Sequence, residues 1–297
     1  MSVTYSTDGG VITATFTGTG ELAEPYIITH LGGATVAIIV GYSSIGIHAF
    51  YQASALTSIT IPASVTSIGY GAFRSASALT SIIIPASVTS IGEYAFLYAS
   101  ALTTVTFDAP SSLTSIGYGA FRSAPALTSI TIPASVTSIG SRAFYKSGFT
   151  SITVTQHNTD YKDINGVLFN KDGTTLIQYP IGNTRTTYTI PEGVISIGSY
   201  AFYEASALTS ITIPEGVISI GSYAFQGATS LTSITIPASV TSIGGNAFKD
   251  TSALTTVTFE EGSSLISIGS SAFQSSGVTT VIASQPLIDS DSMGWST

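Results

Sequence analysis

The frame Ile-Gly-x-x-Ala-Phe occurs nine times in this chain, beginning at Ile45, Ile68, Ile91, Ile116, Ile139, Ile197, Ile220, Ile243 and Ile268. Seven of the eight steps are 23 or 25 residues, and the step from Ile139 to Ile197 is 58. A fixed period of this length is the mark of stacked coils, each too small to bury its own apolar face and burying it against its neighbours instead. The period predicts a repeat solenoid and overrides the expectation, from 297 residues, of two ordinary domains.

One repeat, Leu56 to Phe73, shows how a coil is built. Leu56, Ile59 and Ile61 have the spacing of a short strand whose alternate side chains point inward, with Ser58 and Thr60 on the outer face. Pro62 lacks an N–H and ends the strand. Val65 and Ile68 return to the core, Gly69 is expected at a sharp turn, and Ala72 makes room for Phe73. The pairs Ile82/Ile84, Val105/Phe107, Ile130/Ile132, Ile152/Val154, Ile211/Ile213, Ile234/Ile236 and Val257/Phe259 repeat the strand. Stacked at ~4.8 Å per strand they predict one continuous parallel sheet, one strand per coil, with Phe50 through Phe273 as a column on the opposite wall. The connecting arms are expected to be short turns or helical turns.

Before Ile45 the register is faint. Met1 to about residue 35 reads as an N-terminal cap, with Val11 to Phe16 as an alternating strand, and the solenoid proper as residues 36–283. Residues 284–297, which include Trp295, read as a polar tail. Residues 155–187 are an insert in which apolar runs flank Asn165-Gly166 and Asp172-Gly173, the pattern of a hairpin replacing a short arm.

These units, Leu-Thr-Ser-Ile-Thr-Ile-Pro-Ala-Ser-Val-Thr-Ser-Ile-Gly-x-x-Ala-Phe, resemble the BspA-type leucine-rich repeats of bacterial and protozoan surface proteins. The segment from Gly166 to Pro180 resembles the hairpin variant found among such repeats. The resemblance implies a right-handed, curved solenoid with roles in adhesion and protein binding, and it implies no catalytic residues. Two departures stand out: Ala53, Ala76, Ala99, Ala205 and Ala228 follow the Phe where the family often has Cys, and Met1 to Asp8 does not read as a secretory signal.

Composition narrows the function. Net charge is −8, and Arg74, Arg122, Arg142 and Lys146 read as scattered corner residues, so nucleic acid is not an expected partner. Mean hydropathy is +0.44, yet no apolar run approaches the ~20 residues of a spanning helix, so no membrane insertion is expected. There is no cysteine, and His30, His48 and His157 lack the spacing of metal ligands or a triad. Asp163, Asn165, Gly166 and Asp172 only partly mimic a calcium loop. No enzyme activity, metal or cofactor is expected.

Two surfaces remain as candidates for binding. The first is a field of hydroxyls on the outer strand face: Ser58/Thr60, Thr104/Thr106, Ser129/Thr131, Ser151/Thr153, Ser210/Thr212, Ser233/Thr235 and Thr256/Thr258, interrupted at Ser81/Ile83 and Thr280/Ile282. Threonine also simply suits strands. The second is a tyrosine set on the arms, including Tyr70, Tyr94, Tyr118, Tyr200 and Tyr223, which fits either recognition or packing between coils. The expected function is non-enzymatic binding of protein or glycan at a cell or virion surface, where many weak equivalent contacts gain by avidity. The alternatives are a virion decoration or fibre component, a structural spacer, and an ice-binding face. An open last strand makes self-association, or assembly into a larger particle, a further expectation.

Overall fold

The structure is a computed structural model and describes residues 2–22, 31 and 33–284. His30, Trp295, residues 285–297 and most of residues 23–32 lie outside the described residues. The chain forms two compact units: Met1–Phe149 with Thr153–Asp160, and Thr150–Ile152 with Tyr161–Thr297. Each is a stack of parallel β-coils, the leucine-rich-repeat-like solenoid expected from the period. No helix occurs among the described residues.

The first unit opens with an antiparallel pair, Ser2–Asp8 against Val11–Thr17. Ala14 and Phe16 on the second strand are fully buried, and that strand pairs in parallel with Val36–Val40, which in turn pairs with Ser58–Thr60. The hairpin thus covers the first coil with a strand whose other side faces outward.

Each coil then carries two strands rather than the one expected. The first is the predicted three- or four-residue strand. The second is the dipeptide Ser-Ile: Ser44–Ile45, Ser67–Ile68, Ser90–Ile91, Ser115–Ile116 and Ser138–Ile139, with Glu21–Leu22 at the start, form a six-stranded parallel ladder. The cause is local, because Ile points into the core while Ser points out, the alternation of any strand. The predicted strands do not join into one continuous sheet. The four strands ending at Ser58–Thr60 form one hydrogen-bonded group, Ser81–Ile84 with Thr104–Phe107 another, and Ser129–Ile132 with Ser151–Val154 a third.

The arms are turns. Ala72, Arg74 and Ala76 each donate a backbone N–H to the carbonyl three residues before, at 3.0–3.3 Å. The N–H groups between them, of Gly71, Phe73 and Ser75, donate to Glu93, Ala95 and Leu97 in the next coil at 2.7–2.9 Å. From Gly71 to Ala76 every N–H is therefore used, half within the coil and half between coils. Two residues per arm take the left-handed conformation that this alternation requires, Tyr94 and Tyr98 among them, with φ of 55° and 61°. The phenylalanine wall is as expected: Phe50, Phe73, Phe96 and Phe121 are fully buried and stack face to face at 5.1–5.2 Å. Each such ring contributes on the order of 2–3 kcal/mol.

Gly69 is present for a reason other than the sharp turn expected. A Cβ there would lie 2.7 Å from the carbonyl carbon of Gly46 and 2.9 Å from the nitrogen of Ile47. The glycine column is where backbone lies against backbone in adjacent coils, leaving no room for a methyl group.

The second unit begins with the insert. Tyr161–Ile164, Val167–Asn170 and Thr175–Gln178 form an antiparallel meander, with Asn165 and Gly166 both left-handed at the first turn (φ 54° and 82°). The meander does not replace an arm alone. Its last strand pairs in parallel with Ser196–Ile197, so Leu176 stands where the Ser-Ile ladder has isoleucine. Tyr179 then takes the place of the arm phenylalanine, 5.1 Å from Phe202. Phe202, Phe225, Phe248 and Phe273 form this unit's own column at 4.9–5.1 Å.

Candidate functional site

Hydroxyl groups on the coils divide into two kinds. One kind holds coils together. In the first unit Thr57, Thr80 and Thr103, each just before a strand, donate through Oγ1 to the carbonyls of Thr35, Thr57 and Thr80 at 2.9, 3.3 and 2.9 Å. A second column before the Ser-Ile strands does the same: Thr66, Thr89 and Thr114 donate to Ser43, Thr66 and Thr89 at 3.2, 3.0 and 2.9 Å. Threonine recurs at these positions because its hydroxyl reaches one coil back.

The other kind is the strand face. In the first unit Thr60, Thr104, Thr106, Ser129 and Thr131 are exposed and Ser58 is half-buried. In the second unit Ser210, Thr212, Ser233 and Thr235 are exposed. Thr104 meets Thr103 at 3.4 Å, whereas the hydroxyls of Thr60, Thr106, Thr131, Thr212 and Thr235 enter no hydrogen bond with the rest of the described chain. They face solvent with both donor and acceptor capacity in hand.

Sequence reasoning missed a depression at the edge of this face. Thr106 and Thr131 border a cavity of about 410 Å³ whose walls include Phe107, Asp108, Pro110, Pro133 and Thr155. That size falls within the roughly 300–1,000 Å³ of small-ligand sites. Phe107 is only half-buried, although Ile84 and Ile132 at the same place in their coils are buried. The signal was visible as the 25-residue step from Ile91 to Ile116, whose two extra residues lie in the loop that begins at Asp108.

The tyrosines fall into two groups. Tyr70 is 38% exposed and Tyr94 and Tyr118 are half-buried, their rings edge-on at 5.7 and 5.2 Å along the first unit. Burial, together with the neighbouring Tyr118, holds the Tyr94 phenol above its ordinary range. Tyr200 is buried and lies flat on half-buried Tyr223 at 4.8 Å, so this pair packs coil to coil. Arg74, Arg122, Arg142 and Lys146 are not scattered: all four extend from the arms of the first unit toward tyrosine rings. For two of them the sequence carries the signal, since Arg74 follows Phe73 as Arg122 follows Phe121, whereas Arg142 and Lys146 stand two residues before and after Phe144.

His48 packs between Tyr51 and Tyr70 at 5.2 and 5.3 Å, and His157 is exposed. Asn165 and Gly166 are the turn of the meander. Among the described residues no three His, Asp or Glu side chains are placed to hold a metal ion, and no helix is long and apolar enough to cross a membrane.

Residues 43–172 and 182–292 match the model of the BspA type leucine rich repeat region, in six copies. Several solved structures share the fold, among them the three that follow. The pneumococcal vaccine antigen PcpA is 23% identical over 94% of this chain and 79% of its own, with a TM-score of 0.82. A leucine rich cell surface protein from Faecalibacterium prausnitzii is 26% identical over 96% of both chains, with a TM-score of 0.64. A leucine-rich repeat protein from Eubacterium ventriosum is 23% identical over 97% of this chain and 95% of its own, with a TM-score of 0.56. No curated protein sequence matches the chain. With coils, glycine column and phenylalanine wall in place over most of its length, the chain belongs to the BspA-type leucine-rich repeat family.

Proposed function

We propose that this protein is a non-enzymatic recognition module, displayed on an exposed surface, that binds protein or glycan through the outer strand face of its coils. The observation that carries the reading is the division of hydroxyls. Those beside the strands hold coil to coil, whereas Thr60, Thr106, Thr131, Thr212 and Thr235 on the strands serve no bond of the fold. A repeated row of such groups binds weakly at each coil and gains by number. The cavity beside Thr106 and Thr131 adds an apolar anchor point to that row. Surface display is supported by the name of the Faecalibacterium prausnitzii structure, a cell surface protein. No specific observation favours a virion component, a spacer or an ice-binding face over this reading.

The test is capture. The purified protein is applied to a glycan array and to a panel of host surface proteins, beside a variant carrying Thr106→Glu and Thr131→Glu. Capture by the parent and its loss in the variant, with an unchanged melting temperature, is the expected result. Capture of nothing by the parent, or equal capture by both, overturns the proposal.

A further inference from the structure

The chain has eight Lys and Arg residues in all, and the four that fall in the first unit are Arg74, Arg122, Arg142 and Lys146. All four sit on its arms, where the carboxylates among the described residues are Glu93 and, against Gly46 at the start of the first arm, Glu21. A protein of net charge −8 therefore carries one face with a local excess of positive charge. The arms of the second unit show no such excess: Lys249 stands there with Glu204 and Asp250.

The cations are held in a regular way. The residue after the arm phenylalanine runs Tyr51, Arg74, Leu97, Arg122, Tyr145 along the unit. The Arg74 guanidinium lies 5.6 Å from the Tyr51 ring centre and that of Arg122 lies 5.0 Å from Tyr145. Arg142 lies 5.8 Å from the Tyr118 ring and donates from Nη1 to the Tyr118 hydroxyl at 2.8 Å. Lys146 Nζ is 5.8 Å from the Tyr145 ring. Stacking on a ring fixes a guanidinium without neutralising it. The Nε atoms of Arg74 and Arg122 are buried beside the rings, so any donor offered to a ligand comes from the terminal nitrogens of each guanidinium.

We propose that this arm face, from Tyr51 to Lys146, is a binding site for a linear acidic polysaccharide. The proposal rests on the reading of the protein as a recognition module but places a second, separate site on a different surface. Arg74 and Arg122 are two coils apart, roughly 10 Å along the stack, and Arg142 and Lys146 stand one coil further on. A straight polymer with acidic groups at regular intervals meets such a row without folding. Guanidinium forks recognise carboxylate and sulfate through paired N–H donors. The tyrosine edges and faces between them, with Tyr70 and Tyr98 the most open at 38% and 47% exposure, suit the apolar faces of sugar rings. An acidic peptide has the charge but not the ring faces.

The test uses the full chain and biolayer interferometry with immobilised heparin, hyaluronan, neutral dextran and single-stranded DNA. Expected are binding to one or both acidic polysaccharides and none to dextran, with affinity falling as salt rises from about 50 to about 300 mM. The R74Q/R122Q variant is expected to bind about tenfold more weakly or worse, while Lys249→Gln in the second unit changes nothing. If R74Q/R122Q melts below the assay temperature, R142Q/K146Q tests the same face. No binding to either polysaccharide, undiminished binding by the variants, or equal or tighter binding to DNA overturns the proposal. If R74Q/R122Q loses the polysaccharide but keeps array capture that T106E/T131E abolishes, both sites stand. If the polysaccharides bind neither protein while array capture persists, only the strand face survives.

Discussion

Gly92→Ala is the sharpest test of how these coils are stacked. The added Cβ would lie 2.6 Å from the carbonyl carbon of Gly69, 2.7 Å from the nitrogen of Tyr70 and 2.8 Å from the oxygen of Gly69. Non-bonded carbon atoms prefer about 3.5–4.0 Å. Relief therefore needs a displacement of ~1 Å between coils that repeat every ~4.8 Å. No flexible side chain is there to yield, because all three atoms are backbone. The displacement opens the bond from the Gly92 N–H to Ile68, 2.7 Å, and from the Phe73 N–H to Ala95, 2.7 Å. Overpacking costs about 1–3 kcal/mol and each weakened bond about 1, partly offset by the lower unfolded-state entropy of alanine, so ~3 kcal/mol is expected. Gly193→Ala is the control: its φ is +86° but a Cβ meets nothing within 4 Å, so only the ~1–2 kcal/mol of left-handed strain applies. Urea unfolding followed by circular dichroism gives the stabilities. Amide hydrogen exchange locates the damage, since a stack can lose coils one at a time. Exchange should rise in the arms 69–76 and 92–99 and stay level in the arm 220–228. A Gly92→Ala protein within about 0.5 kcal/mol of the parent, or one less destabilised than Gly193→Ala, refutes close backbone approach as the reason for the glycine column.

The division of hydroxyls predicts that Thr103→Val, which loses a 2.9 Å bond to the Thr80 carbonyl, costs ~1 kcal/mol in denaturant unfolding, whereas Thr106→Val is neutral. Ser75→Gly relieves a left-handed residue (φ 59°) at the place where the second unit has Gly227; it should gain ~0.5–1 kcal/mol and raise the thermal midpoint, and a lower midpoint counts against strain in the arms. Burial, with Tyr179 adding to it against the pull of Arg185, pushes the Tyr188 phenol up to about 12. Its contribution to stability is therefore whole below pH ~10, the unfolded value, and is lost as pH rises from there through about 12. The Tyr188 hydroxyl is buried without a partner, so Tyr188→Phe should raise stability at pH 7 by ~1 kcal/mol and flatten the alkaline loss in a pH series of melts; lower stability at pH 7 would mean that the hydroxyl is satisfied.

The coil was legible because its residues are constrained by identical neighbours. Ile59, Val65, Ile68 and Phe73 are read inward from spacing alone, and all four are buried. Two features escaped because they belong to the stack and not to any one repeat. The Ser-Ile strand is only two residues long, below any periodic signal, and becomes a strand only when Ser67–Ile68 meets Ser90–Ile91. Gly69 reads as a turn residue from one coil, and its real constraint is the backbone of the coil before it. Asn165-Gly166 and Asp172-Gly173 made a hairpin visible, not the three-stranded meander. What the pattern lacked was the destination of Thr175–Gln178, since pairing with Ser196–Ile197 depends on a partner 21 residues on. The candidate site was legible only in part. Hydroxyls at alternate strand positions were evident, but which of them hold coils together and which stand open is decided by a carbonyl one coil away, as at Thr103 and Thr106.

This dependence on the coil before and the coil after bears on function. A substitution at an inward position or at the glycine column is copied into a clash or a cavity between every pair of coils it touches, so those positions tolerate little change. The residue after the arm phenylalanine is under no such constraint: Tyr51, Arg74, Leu97, Arg122, Tyr145, Tyr203, Gln226, Lys249 and Gln274 all occupy it. The backbone bond from this N–H stays within its own arm, as from Arg74 to Gly71 at 3.0 Å, so the side chain is not needed to join coils. Chemistry specific to this protein therefore has room to collect in such columns. That this column holds two arginines in the first unit and none in the second, where it runs Tyr203, Gln226, Lys249 and Gln274, is a difference the fold does not require, which is why recognition is better sought there and on the strand face than in the repeated geometry of the coil.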